Sequence, residues 1–107
     1  GRTFKGATEI ASRRASGHVG VAVIDRHAVV VSWVETDKHG TNAINIRGLT
    51  IRGTLGPAQT VGRSNLVRIY PQMIRKDDKL ILAWTDEISD VRKIVSVEVP
   101  ILGFYDR

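Results

Sequence analysis

The chain has 107 residues, with 16 Lys and Arg against 11 Asp and Glu, which gives a net charge of +5. It contains no cysteine, which excludes disulfides, thiolate zinc sites and a cysteine nucleophile. Apolar residues make up 42% and charged residues 25%, as in an ordinary globular domain, and no run of about 18 apolar residues predicts a transmembrane helix.

The first half of the chain reads as strands joined by polar turns. Residues 18–24 form an apolar, β-branched run. Residues 28–34 are apolar almost throughout, which predicts a strand buried on both faces, and a polar loop follows. Residues 43–51 alternate between apolar and polar, and the change of phase at Gly48 predicts a β-bulge. A short strand over residues 58–61 ends this half.

The second half repeats the first at an offset of 51 residues, which places Trp84 on Trp33. The same offset places a turn at 76–78 on a turn at 25–27. After each Trp we expect an acidic loop and then a further strand, which in the second half covers residues 93–99. Repeats of about 50 residues with three or four short strands each are typical of propeller blades.

These patterns predict a single all-β domain over residues 1–107, made of about two four-stranded antiparallel β-propeller blades. The repeat units cover approximately 17–62 and 67–103. Residues 1–12 supply an outer strand, near 7–11, that completes a blade. The alternative is a small β-sandwich with two similar hairpins. No window shows the period of an α-helix.

Three stretches of the chain resemble a known family. Gly1-Arg2-Thr3-Phe4 resembles the end of an aspartate box (Asp-box, or BNR repeat), the Ser-x-Asp-x-Gly-x-Thr-Trp/Phe turn of sialidases, without the Ser and Asp that begin it. The segments AVVVSWVE and YPQMIRKDDKLILAWTD look like the terminal blades of sialidase-like propellers, as does NIRGLTIRG. The resemblance covers most of the chain and implies the C-terminal blades of a six-bladed, sialidase-like glycoside hydrolase. Family members are mostly secreted or periplasmic, so we expect the same localisation.

The resemblance also implies a chemistry, the removal of terminal sialic acid from glycoconjugates. Enzymes of this family hold the substrate carboxylate with three Arg and use a Tyr nucleophile assisted by a Glu, with an Asp as acid and base. A planar guanidinium matches both carboxylate oxygens, and a Tyr nucleophile avoids setting a carboxylate against an anionic sugar. We therefore predict Tyr70 as the catalytic nucleophile and Arg68 as a carboxylate clamp.

In a propeller, inner strands begin and second strands end on the same face. That face would bring further candidate substrate-binding side chains beside the Tyr and the Arg, namely His18, Glu35, Asp86 and Glu87, with Asp37 nearby. Each prediction has a structural alternative. Tyr70 would be a core aromatic, and Arg68 would form a surface ion pair with Asp86 or Glu87. The two Trp are expected in the core.

The sequence predicts neither metal nor cofactor. His18, His27 and His39 lack the spacing of metal ligands. The arginines are spread along the chain rather than clustered on one element, which argues against a nucleic-acid partner. The expected partner is a glycan or a sialylated ligand, with no membrane contact.

A complete active site of this family needs groups from the whole ring. We therefore expect the 107-residue chain alone to be inactive, and the sequence leaves open whether its parent is an exo-sialidase-like hydrolase. The alternative function is a non-catalytic propeller repeat module that binds proteins or glycans. Two blades expose apolar flanks, so we also predict a homo-oligomer in which three copies complete a ring.

Overall fold

The computed structural model describes residues 9–11, 15, 18–66 and 69–101, and these residues build seven β-strands without an α-helix. The strands are β1 (Gly20–Asp25), β2 (Ala28–Thr36), β3 (Asn42–Thr50), β4 (Gln59–Ser64), β5 (Gln72–Lys76), β6 (Lys79–Ile88) and β7 (Val91–Pro100). β1 to β4 form a four-stranded antiparallel sheet in sequence order, and β5 to β7 form a three-stranded one. The predicted all-β class is confirmed.

Short turns join the strands of each sheet. The turns predicted at 25–27 and 76–78 are confirmed, since Asp25 pairs with Ala28 across the first and Lys76 pairs with Lys79 across the second. The β6–β7 turn has positive φ at both central residues, Ser89 and Asp90, which is the backbone of a type I′ hairpin. The strand twist favours this turn.

Two details differ from the prediction. The bulge expected at Gly48 is absent from the β2–β3 ladder, where Val30 pairs with Gly48 in regular register. The bulge lies instead between β3 and β4, at Ile44 and Asn45. The change of phase near Gly48 has another cause: Ile46 and Leu49 face opposite sides of a strand that carries apolar side chains on both faces.

The prediction of an acidic loop directly after Trp84 is also wrong. β6 continues through Asp86 and Glu87 and turns only after Ile88. These polar residues continue the strand, since Asp86 pairs with Lys93 and Glu87 with Arg92 of β7. The Asp86 carboxylate also accepts hydrogen bonds from the backbone N–H groups of Asn65 and Glu87. By contrast, β2 does end in a polar loop, which begins after Thr36.

The two sheets pack face to face around one apolar core. The four-stranded sheet contributes Ala22, Ile24, Val30, Val34, Ile44 and Ile46, and the three-stranded sheet contributes Leu80, Leu82 and Trp84. Ile69 and Ile101 join the same cluster. Each large apolar side chain buried here stabilises the fold by roughly 1.5–3 kcal/mol. Trp33 is also buried, but on the opposite face of the four-stranded sheet and outside this cluster. The prediction that both tryptophans are buried is confirmed, and only Trp84 lies in the core between the sheets.

The predicted N-terminal outer strand is only partly described. Residues 9–11 are not a strand, and the Arg47 guanidinium donates a hydrogen bond of 2.9 Å from Nη1 to the Ile10 carbonyl. Arg47 shares the face of the four-stranded sheet that points away from the core. The described part of this segment therefore lies against the first sheet rather than completing the second. Residues 1–8, which include the segment that resembles the end of an aspartate box, lie outside the described residues.

Candidate functional site

A surface cavity of about 350 Å³ lies at one end of the four-stranded sheet. At this end β2 and β4 finish and β3 starts. Glu35, Ala43 and Arg63 lie side by side across three strands at this end, next to the row of Trp33, Asn45 and Thr60. Alternation along the strands places both rows on the face away from the core. The cavity is lined by Glu35, Thr36, Asp37, Lys38, Ala43, Asn45, Thr60 and Arg63.

Asp37 organises the loop beside this cavity. Its Oδ1 accepts hydrogen bonds of 2.9 Å from the backbone N–H groups of Thr41 and His39, and its own N–H donates to the Thr41 carbonyl. Gly40 closes the loop at φ 85°, a left-handed conformation that favours glycine. The N–H of Thr41 is the main cause that lowers the pKa of Asp37, and the charges of His39 and Arg63 act in the same direction. Asp37 is therefore a carboxylate at neutral pH.

Hydrogen bonds fix the polar side chains on the strands of the cavity. The Trp33 indole donates from Nε1 to Glu35 Oε2 at 2.8 Å, which holds the carboxylate at the edge of the buried ring. The Thr60 hydroxyl donates to Asn45 Oδ1 at 2.7 Å, so the orientation of the amide is set as well. Carboxylate, amide, hydroxyl and guanidinium groups thus surround one concavity on rigid strands.

His18 and Tyr70, 52 positions apart, form an aromatic pair. Their ring centroids are 4.4 Å apart with the planes at 74°, an edge-to-face contact. His18 lies between Ala15, which pairs with Glu35, and Gly20, which begins β1, so the pair belongs to the same end of the fold as the cavity. Tyr70 is 58% exposed. The alternative of a core aromatic is therefore wrong for Tyr70.

Asp86 and Glu87 are engaged in structural contacts. Asp86 Oδ1 accepts from the backbone N–H of Asn65 at 2.9 Å and lies 3.1 Å from the Ser64 hydroxyl, which ties β6 to the end of β4. The Asn65 N–H is the main cause that lowers the pKa of Asp86, with smaller contributions from Glu87 and Ser64. Glu87 lies 3.6 Å from Arg92 in an exposed ion pair.

The structure thus pairs His18 with Tyr70 and places Glu35 at the same end of the fold, whereas Asp86 takes part in the contact between the sheets. Arg68 lies outside the described residues. Sequence reasoning missed Arg63, because the predicted strand stopped at residue 61, whereas β4 continues to Ser64 and pairs Arg63 with Ala43. Extending that strand by its polar residues would have placed Arg63 in the same row as Glu35, with Ala43 between them.

The described residues contain no group of three His, Asp or Glu side chains arranged to hold a metal ion. The same part of the chain has no helix with the length and apolar character needed to cross a membrane.

The chain was also compared with known proteins. No family model, no curated protein and no solved structure matches it. The geometry of the site and the sequence resemblance therefore carry the functional argument.

Proposed function

We propose that this chain is a glycan-binding part of a sialidase-like β-propeller protein and that the cavity beside Asp37 holds a sugar. The observation that carries the proposal is the mixture of groups around that cavity, where Glu35, Asp37 and Asn45 face Thr60 and Arg63. A sugar presents many hydroxyls that both donate and accept. Such a ligand is matched by a concave surface with both kinds of partner on strands.

The row-by-row correspondence of the two sheets supports the propeller architecture. In the four-stranded sheet, Trp33 on the second strand pairs with Asn45 on the third strand. In the three-stranded sheet, Trp84 on the second strand likewise pairs with Val95 on the third strand. Both sheets are antiparallel meanders, the arrangement of a propeller blade. We infer that each sheet is one blade, and the three-stranded sheet is a blade that lacks one strand among the described residues.

The charges favour binding over acid catalysis at this cavity. Asp37 is held as a carboxylate by the N–H of Thr41, so it accepts hydrogen bonds from sugar hydroxyls and does not supply a proton near neutral pH. Arg63 and Lys38 offer donors to a ligand carboxylate, as in sialic acid. The lining thus suits both the hydroxyls and the anionic group of a sialylated glycan.

Tyr70 lies at the same end of the fold as the cavity. Its exposed ring, held against His18, suits stacking on the apolar face of a sugar ring. Its role as a nucleophile, with Arg68 as a clamp, rests on the family resemblance. A non-catalytic binding module is the alternative, and it differs from the enzyme in showing no release of sialic acid from 3′-sialyllactose.

The test is binding of 3′-sialyllactose and lactose to the 107-residue chain, followed by saturation-transfer difference NMR and calorimetry. We expect binding of the sialylated sugar, and at least a tenfold weaker affinity for Arg63→Gln. The matched control is Arg26→Gln, because Arg26 is exposed in the β1–β2 turn at the other end of the sheet. The proposal would be overturned if neither sugar bound, or if Arg63→Gln and Arg26→Gln weakened the affinity for 3′-sialyllactose equally.

A further inference from the structure

β7 is a long strand with one unpaired edge. It pairs with β6 on one side, and no described residue pairs with it on the other. Its ten residues keep a regular register with β6. The other edge strands, β1, β4 and β5, have only six, six and five residues, and the ladders of β1 and β4 are irregular. A long, regular edge is the kind that accepts a further strand.

The turn before β7 decides which of its backbone groups point to the free edge. The two-residue type I′ turn at 89–90 makes the flanking Ile88 and Val91 a pair that exchanges hydrogen bonds. Such pairs recur at every second residue, and the bond of 2.9 Å from the Ile101 N–H to the Asp78 carbonyl has the same phase. The odd-numbered residues of β7 therefore bond to β6. The free edge presents the N–H and C=O groups of Arg92, Ile94, Ser96 and Glu98.

The core-facing side of β7 leaves apolar side chains partly uncovered. Val95, Val97 and Val99 pack against the core but stay partly exposed, whereas Leu80 and Leu82 of β6 are fully buried. β4 of the other sheet lies over β6 and β7 rather than beyond this edge, since it contacts both strands. A strand added beside β7 would therefore gain backbone hydrogen bonds and would also cover apolar surface.

The free edge is complementary in charge to a second copy of itself. When two β7 strands pair antiparallel about Val95, even-numbered residues meet even-numbered residues, as their free backbone groups require. In this register Arg92 lies opposite Glu98 of the second copy, and Ile94 lies opposite Ser96. A shift of the centre by one residue in either direction removes the contacts between Arg92 and Glu98. Opposite charges directly across an antiparallel pair are favourable, and like charges there are unfavourable.

The ion pairs within one copy are compatible with this register. Arg92 lies 3.6 Å from Glu87, and Lys79 lies 3.2 Å from Glu98, in pairs that are open to solvent. Pairing about Val95 would place Glu98 of the second copy on the side of Arg92 that is remote from Glu87. Each Arg92 would then lie between two carboxylates, so the charges alternate along the row from one copy to the other.

We propose that two copies of this chain associate through β7, which pairs antiparallel with β7 of the second copy about Val95. The product is a continuous six-stranded sheet with two-fold symmetry, in which each copy closes the free edge of the other. Charge complementarity favours a second copy over an unrelated strand, because the edge itself supplies both partners of each ion pair. The contact uses none of the residues that line the cavity beside Asp37, so it does not depend on sugar binding.

The experiment is sedimentation equilibrium of the whole 107-residue chain, of two charge variants and of their equimolar mixture. We expect the natural chain to form a dimer. Arg92→Glu and Glu98→Arg should each associate about tenfold more weakly, because each change places like charges opposite one another. Their mixture should form a one-to-one heterodimer, since one chain then carries two carboxylates where the other carries two guanidinium groups. Arg26→Glu is the matched control, because it makes the same change of charge in the exposed β1–β2 turn and should dimerise like the natural chain.

The mixture separates a lost contact from a lost fold, because misfolded variants would not associate with each other one to one. Ser96→Pro tests the backbone part of the contact. It removes an N–H that points to the free edge and makes no bond to β6, so it should leave a folded monomer. A natural chain that stays monomeric at millimolar concentration would overturn the proposal. A natural dimer that neither charge variant weakens, or a mixture no more associated than its components, would overturn it as well.

Discussion

Trp84 packs directly on the backbone of Gly62. A Cβ added to Gly62 would lie 2.2 Å from Cζ2 of the indole, far inside the ordinary carbon–carbon contact of about 3.5–4 Å. Gly62 belongs to β4 of the four-stranded sheet and Trp84 to β6 of the three-stranded sheet. The missing side chain therefore sets how closely the two sheets approach.

Gly62→Ala is expected to destabilise the fold by about 1–3 kcal/mol or more, because the new methyl overlaps a buried ring with no free space to enter. Urea unfolding followed by circular dichroism measures the change. Trp84→Phe removes the ring atoms in conflict, so Gly62→Ala should cost less in that background than in the natural chain. Equal costs in the two backgrounds would show that the indole is not the obstacle.

Trp84→Ala is expected to lower the free energy of unfolding by roughly 3–5 kcal/mol, since it leaves a large cavity between the sheets. Thermal or chemical denaturation provides the measurement. Ile51→Ala serves as a control and should stay within about 0.5 kcal/mol of the natural chain, because Ile51 is exposed. A small loss for Trp84→Ala would contradict the packing described for the core.

Acid should weaken the fold through Asp86. The N–H of Asn65 lowers its folded-state pKa below the ordinary value of 3.8, so its contribution to stability is present above that pH and is lost as the pH falls through the folded pKa. Asp86→Asn should therefore lower the melting temperature at pH 7, and its difference from the natural chain should shrink as the pH falls through the folded-state pKa of Asp86. A constant difference at all pH values would mean that the charge plays no part.

Tyr70→Phe separates sugar binding through the tyrosine ring from sugar binding through its hydroxyl. The phenyl ring keeps the contact with His18 and loses the hydroxyl. If Tyr70 only stacks on the sugar, the affinity for 3′-sialyllactose should change less than threefold, whereas Tyr70→Ala should weaken it about tenfold. The two dissociation constants are measured by calorimetry on the isolated chain. No loss for Tyr70→Ala would remove Tyr70 from the site.

The sequence was sufficient to predict the seven strands of the described residues, because alternation and unbroken apolar runs report directly on burial. The eighth predicted strand, near residues 7–11, is not a strand over residues 9–11. The sequence identified β2 as buried on both faces, and residues Val30 to Val34 are all buried. The repeat at Trp33 and Trp84 also identified corresponding rows of the two sheets. These are local or periodic signals that a single chain carries in full.

The sequence did not predict the register in which neighbouring strands pair. The bulge appeared at Ile44 and Asn45 rather than at Gly48, since its position depends on how β4 pairs with β3. The same pairing brings Arg63 to the cavity, and the strand limits from sequence excluded it. Asp86 looked like a binding residue because its partners, Ser64 and Asn65, lie some twenty positions earlier and are brought to it only by packing of the sheets.

The most direct test of glycan binding at the cavity is an amide chemical-shift map recorded during titration with 3′-sialyllactose. The account predicts saturable shifts clustered at residues 35–38, Asn45, Thr60 and Arg63, with Arg26 and His27 at the other end of the sheet unaffected. Shifts centred on Arg26 and His27, or no saturable shift at millimolar sugar, would contradict it.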